Sequence, residues 1–172
     1  MLVMIIKYFL QLLVKIFPSE IAYAHCDIPC GIYDPHAAQM AAHTVIRMTI
    51  LLNDLQAPDK MPFSERKKMI HQISRLTRVK EEHAEIVKHE IRVLWGDYFK
   101  EEHLKAYPNL HALVFKIMKT ASKARQEINI DAANELLENV QKIAEIFYKT
   151  KGVRPMRVKS VYPTGLEIIS YQ

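Results

Sequence analysis

A chain of 172 residues is long enough for one domain with a real hydrophobic core. Its formal charge of +5 is modest, and no Lys/Arg run alternates with aromatics, so nucleic-acid binding has no support. Only four glycines interrupt apolar residues that recur every three or four positions, which favours an all-α chain over a β-sandwich or an α/β sheet.

Residues 1–17 are almost entirely apolar, broken by Lys7, Gln11 and Lys15. Pro18-Ser19-Glu20 and the small-x-small triplet Ala22-Tyr23-Ala24 follow. This is the layout of a cleavable leader, a signal or a propeptide, over residues 1–24. Lys15 leaves no uninterrupted run of the roughly 20 apolar residues a membrane span needs, so no stable span is expected in the mature chain. Lys7 and Lys15 sit inside the apolar stretch rather than ahead of it, which leaves export open. An uncleaved amphipathic helix is the other reading. Cleavage after Ala24 exposes His25 with a free α-amine, a metal ligand once deprotonated. Losing Lys7, Lys15 and Glu20 takes the formal charge from +5 to about +4.

The next segment is His25-Cys26-Asp27-Ile28-Pro29-Cys30-Gly31-Ile32-Tyr33-Asp34-Pro35, and it holds both cysteines of the chain. By itself a Cys-x-x-x-Cys fits a local disulfide, two idle thiols or a soft-metal site. With His25 as first residue, the segment offers an α-amine, an imidazole, two thiols and the Cys26 backbone nitrogen within six residues. Pro29 and Gly31 bracket Cys30 and bend the chain back toward Cys26. Amine, amide nitrogen and two thiolates make a planar N2S2 set, with the imidazole free to approach from above. That geometry suits Ni(II) or Cu(II), whereas zinc prefers a tetrahedron. Anionic thiolate and amide donors bring a higher oxidation state of nickel within reach, enough to oxidise one superoxide and reduce the next. Spacing alone goes no further than a redox-capable metal hook.

Four helices are predicted after the hook. The first starts at Asp34-Pro35, with Asp34 as cap and Pro35 in the first turn. Its stripe is Ala38, Ala41, Val45, Met48, Leu52 and Leu55, and Ala57-Pro58-Asp59 ends it. The second runs from near Ser64 to about Trp95, with Ile70, Ile73, Val79, Ile86, Val87 and Leu94 as buried candidates, and Gly96 closes it. A loop through Tyr98, Phe99 and Tyr107-Pro108 leads to a third helix bearing Leu110, Leu113, Val114, Ile117, Met118 and Ala121. The fourth starts at Asp131 and carries Leu136, Leu137, Val140, Ile143, Ala144 and Phe147. Short links between amphipathic helices predict an antiparallel four-helix bundle over residues 25–150, hook included. Pro155, Pro163 and Gly165 then rule out a helix, so residues 151–172 read as an extended tail of unknown role. A di-iron bundle requires Glu-x-x-His, and no glutamate here has a histidine three residues later.

The eleven residues from His25 to Pro35 resemble the nickel-hook signature of the nickel-containing superoxide dismutases. Val93-Leu94-Trp95-Gly96-Asp97-Tyr98-Phe99-Lys100 and Tyr107-Pro108-Asn109-Leu110-His111 are similar to family segments in the same order, so the resemblance covers about residues 25–150. It implies a superoxide dismutase cycling nickel between Ni(II) and Ni(III), one ion per subunit, in a homohexamer of four-helix subunits. It also implies a protease that releases the N-terminal histidine. His25 then supplies amine and axial imidazole, Cys26 amide nitrogen and thiolate, and Cys30 the second thiolate. Tyr33 lines the substrate pocket with Tyr98 behind it, while Asp27 and Lys100 shape the pocket and its access. Family members trimmed inside the cell make a cytoplasmic location one expectation and export through the leader the other.

Two positions depart from the family pattern. A glutamate that holds the axial imidazole is replaced by Ala41, and an arginine twelve residues before Trp95 by His83. His83 is therefore expected to take over the hydrogen bond to the His25 imidazole, alone or with a neighbouring subunit. His36, His43, His71, His89, His103 and His111 read as surface or capping residues, and Trp95 and Tyr98 as helix-end core aromatics. Two other functions use the same residues: a non-catalytic nickel or copper delivery protein, and a structural bundle with a terminal disulfide. Tyr33 and the Tyr98 segment favour the enzyme, because a carrier needs no gated pocket for a small anion.

Overall fold

The computed structural model describes residues 31–172; the leader, with His25, Cys26, Asp27 and Cys30 of the hook, lies outside the described residues. Four long helices dominate: α1 (His36–Asn53), α2 (Phe63–Val93), α4 (Leu110–Gln126) and α5 (Ile130–Thr150), with a short α3 (Glu101–Ala106) before α4. α1 packs on α2 and α5, and α4 packs on the same two helices, so the four close a bundle around one core. Only residues 127–129 join α4 to α5, which forces those two antiparallel.

The helix starts have local causes. An Asp34 carboxylate oxygen accepts the His36 N–H at 2.6 Å, so α1 begins with its first donors satisfied. Asn129 caps α5 by accepting from Ala132 N–H at 2.9 Å, one residue ahead of the predicted start. The stripes of α4 and α5 are largely buried as expected, with Val114, Ile117, Leu136, Val140 and Ile143 at 5% exposure or less.

α2 departs from expectation. Its buried residues are Lys80, Ala84, Val87 and Ile91, all in its second half. Ile70, Ile73 and Ile86, expected in the core, are 68%, 39% and 39% exposed. The reason is length. At 1.5 Å per residue α2 spans about 46 Å and α1 about 27 Å, so the start of α2, with Ile70 and Ile73, runs past its partner, whereas Ile86 lies beside the buried row Lys80, Ala84, Val87 and Ile91 and not in it. Lys80 is 2% exposed, and its ammonium donates to the carbonyls of Ala124, Arg125 and Glu127 at 2.5, 2.7 and 2.8 Å. It thereby satisfies the end of α4, where helix carbonyls lack partners and carry negative charge.

Gly96 does not close α2. The chain widens into a π-helical turn (Leu94–Tyr98), Phe99 N–H reaches back to Leu94 C=O at 3.0 Å, and the helix stops where Phe99 turns extended. The loop expected next contains α3.

The tail is ordered. α5 ends in a Schellman motif: Gly152, at φ +75°, donates to Lys149 C=O, and Val153 N–H to Tyr148 C=O. The chain then reverses into an antiparallel hairpin, β1 (Pro155–Lys159) and β2 (Glu167–Tyr171), with Arg157 opposite Ile169. Ile169 of β2 is 1% exposed. The buried Gln39 amide of α1 pairs with its backbone in both directions, donating to Ile169 C=O at 3.0 Å and accepting from its N–H at 2.7 Å. Gln141 of α5 donates to Glu167 C=O at 2.7 Å, and Arg157 binds Gln141 and Glu145 in turn. His43, expected at the surface, is buried here, with its ring nitrogens 2.8 Å from Thr164 Oγ1 and 3.2 Å from Glu167 O. Burial holds its pKa below the ordinary imidazole value, against the raising effect of the Glu167 carbonyl.

Candidate metal centre

Gly31, the first described residue, follows Cys30 directly and adopts φ +83°, the left-handed backbone that glycine enters without strain. Two residues on, Tyr33 is half-buried, and its ring meets that of Tyr98 at 5.5 Å between centroids. The fold brings these two predicted site residues together although 65 positions separate them in the chain.

Tyr98 sits in a tight aromatic setting supplied by the π-turn, α3 and the end of α5. Phe147 lies 4.6 Å from its ring, Phe99 5.1 Å, and His103 stacks on it at 5.6 Å. Its hydroxyl is 2.7 Å from Thr150 Oγ1. The Lys151 ammonium lies 4.8 Å from its ring centre and 5.6 Å from that of Phe147, a cation–π contact of an exposed lysine with two buried rings. Lys100 is exposed as well, and its backbone N–H donates to His103 Nδ1 at 3.1 Å. Two cations thus flank the Tyr98 segment. Nearby Tyr148 has its phenol pKa pushed up to about 12 by burial, with the charges of Asp34 and Tyr171 adding to it.

The other predicted residues fall elsewhere. His83 is half-buried on α2, and its Nδ1 is 2.8 Å from the Val79 carbonyl of its own helix. A carbonyl only accepts, so Nδ1 carries the proton and Nε2 of the neutral ring is left as an acceptor. Ala41 is buried on α1. Trp95, read as core, is 43% exposed and donates to His111 Nδ1 at 2.8 Å. Among the described residues no three His, Cys, Asp or Glu side chains group as metal ligands, and no described helix is long and apolar enough to cross a membrane.

Comparison with known proteins places this geometry. The family described as nickel-containing superoxide dismutase matches residues 20–151. The chain belongs to that family. The superoxide dismutases [Ni] of Streptomyces seoulensis and Streptomyces coelicolor are each 36% identical over 134 residues, spanning 78% of this chain and 93% of theirs. A native nickel superoxide dismutase structure superposes with a TM-score of 0.63 at 35% identity, covering 74% of this chain and 99% of its own. A structure of the nickel-containing enzyme in the oxidised ligation state gives 0.62 at 36% identity, with the same coverage. The family match stops at Lys151, so the C-terminal hairpin lies beyond it.

The family's metal suits the donors this chain carries. The two thiols, the imidazole and the backbone nitrogens of residues 25–30 are a mixed soft and nitrogen-rich collection of donor types, which fits nickel and not the hard oxygen-liganded cations. Sequence reasoning did not single out Thr150, Lys151 or His103. Thr150 lies 52 residues from Tyr98, and no periodicity links the two. The one available signal was the end of α5, where a helix terminus has unsatisfied carbonyls to occupy a hydroxyl.

Proposed function

We propose that this protein is a superoxide dismutase that disproportionates superoxide to oxygen and hydrogen peroxide with nickel held at a new N-terminus, His25. The observation that carries the reading is the run of the hook sequence His25–Pro35 into Tyr33, whose ring rests on Tyr98. When bound, nickel supplies a one-electron couple between Ni(II) and Ni(III). His25 offers its amine and imidazole, Cys26 its amide nitrogen and thiolate, and Cys30 its thiolate. Cys30 precedes Tyr33 by three residues, so covalent reach keeps their Cα atoms within about 11 Å. Tyr33 is the residue of the described chain that would face a small anion approaching the metal. The exposed cations of Lys100 and Lys151 favour approach of an anion, and Asp27 of the hook is assigned to shaping that approach on the family resemblance alone.

His83 is suited to stand in for the missing family residues, because Nε2 remains an acceptor for the N–H of the His25 imidazole. A His83→Ala enzyme with an unchanged nickel spectrum and rate would sink that role. The homohexamer follows from the family resemblance, and the start of α2 with the loop before it is where a second copy could pack: Met61, Met69, Ile70 and Ile73, with Asp59, Lys60 and Arg66 beside them, line an open groove of about 710 Å³. A protease that cuts after Ala24 completes the scheme, since the amide preceding His25 is a poor ligand.

The test is superoxide consumption by the nickel-loaded chain beginning at His25, against the same chain retaining Ala24. Fast turnover confined to the trimmed chain is expected. Metal binding without turnover would instead indicate a carrier, and equal behaviour of the two chains would remove the hook from the mechanism.

A further inference from the structure

The end of α5 decides which way the Tyr98 hydroxyl faces. Thr150 Oγ1 lies 2.7 Å from Phe147 C=O in the last turn of α5. A carbonyl cannot donate, so the single Thr150 hydroxyl proton is committed to it. Thr150 Oγ1 therefore meets the Tyr98 hydroxyl, also at 2.7 Å, with lone pairs only. The Tyr98 hydroxyl must be the donor of that bond. Its ring has little freedom to turn away, being packed by Phe147 and His103 and faced by the Lys151 ammonium.

We propose that Thr150 is a positioning residue that commits the Tyr98 proton to α5, leaving Tyr98 an acceptor and not a donor on the side of Tyr33. This rests on the reading of Tyr33 and Tyr98 as the substrate pocket. A superoxide anion has only lone pairs to offer and gains no hydrogen bond from Tyr98 so held. Water or hydrogen peroxide has a proton to give, and is accepted. The device thus favours protonated oxygen species over anions at this wall of the pocket and leaves donation to the anion to other groups.

The experiment compares Thr150→Val, which keeps the shape and loses the hydroxyl, with Thr150→Ser, which keeps the hydroxyl. Tyrosine Raman doublets report whether a phenol donates or accepts, and are read on the full chain without nickel as differences against Tyr98→Phe. Azide, a small anion with no proton, is the second probe, as an inhibitor of the nickel-loaded trimmed enzyme. Thr150→Val is expected to shift the Tyr98 doublet away from its donor pattern. It should also tighten azide inhibition roughly threefold to tenfold, the worth of one hydrogen bond newly donated to the anion. Thr150→Ser should restore both, and Tyr98→Phe should abolish the azide effect of Thr150→Val. An unshifted doublet in Thr150→Val would overturn the proposal. So would a shifted doublet with wild-type azide inhibition, which would reduce the bond to a structural one. Thr150→Ala serves as the hydroxyl-free variant if valine alters the helical circular dichroism. Failure of the wild-type enzyme to turn over superoxide would count against the functional reading, while the doublet would still decide the direction of the hydroxyl.

Discussion

Gln39→Met tests how the C-terminal hairpin is held. Gln39 is fully buried on α1, and its amide pairs with the Ile169 N–H and C=O, at 2.7 and 3.0 Å. Methionine matches glutamine in length and flexibility but offers neither the strong donor nor the strong acceptor. The substitution leaves two backbone groups unpaired beside a side chain that is 1% exposed. Each orphaned group costs about 1–3 kcal/mol, partly offset because a buried amide is replaced by an apolar group. The net loss is about 2–4 kcal/mol, which for a domain of this size lowers Tm by roughly 5–15 °C. If the hairpin undocks before the bundle unfolds, the loss appears first as faster amide exchange over residues 167–171. Thermal unfolding by circular dichroism and hydrogen exchange on C-terminal peptides measure the two outcomes. A Tm within about 1 °C of wild type, with unchanged exchange in the hairpin, would refute the claim that this amide pair anchors β2.

Three other outcomes are expected. Lys80→Met leaves the carbonyls that end α4 without their ammonium, and should cost about 2 kcal/mol in urea unfolding although the side-chain volume is preserved. A variant as stable as wild type would mean water replaces the ammonium without penalty. His43, faced by Thr164, Glu167 and Tyr162 of the hairpin and by Arg47 of its own helix, has its pKa held by burial below the ordinary imidazole value. The unfolded chain therefore binds the proton more readily. The hairpin contribution is complete above about pH 6.5 and is lost as the pH falls from there through the lower folded value. His43→Gln should flatten that slope in Tm against pH, and an equal slope in both proteins would exclude His43 as its source. Lys151→Gln removes the cation beside Tyr98, and should lower turnover about twofold to threefold at low salt with a weaker dependence on ionic strength. Stopped-flow rates at two salt concentrations check this, and an unaltered salt dependence would place Lys151 outside the approach path.

Much of this molecule was legible in its sequence because the relevant interactions are local. Asp34 and Asn129 cap helices two and three residues away, and the family segments that match are contiguous stretches of the chain. The stripes of α4 and α5 repeat at a spacing set by helix geometry itself. Those features need no knowledge of where the rest of the chain goes. Other features came only with the closed bundle. An apolar stripe says which side of α2 is sticky, but not that α1 stops short of Ile70. Nothing around Gly96 announced a π-turn, which depends on how Tyr98 and Phe99 seat against the rest of the core.

The hairpin is the sharpest case. Its strands carry Pro155 at the margin and little alternation, and what orders them is Gln39, His43 and Gln141 on two helices, up to 130 residues away. The pairing of Tyr33 with Tyr98, and of Tyr98 with Thr150, has the same character. Sequence determined the family and the helix pattern, because motif segments and helix period are properties of neighbouring residues. Tertiary structure alone decided which distant side chains meet, because that depends on where separate segments of the chain come to rest.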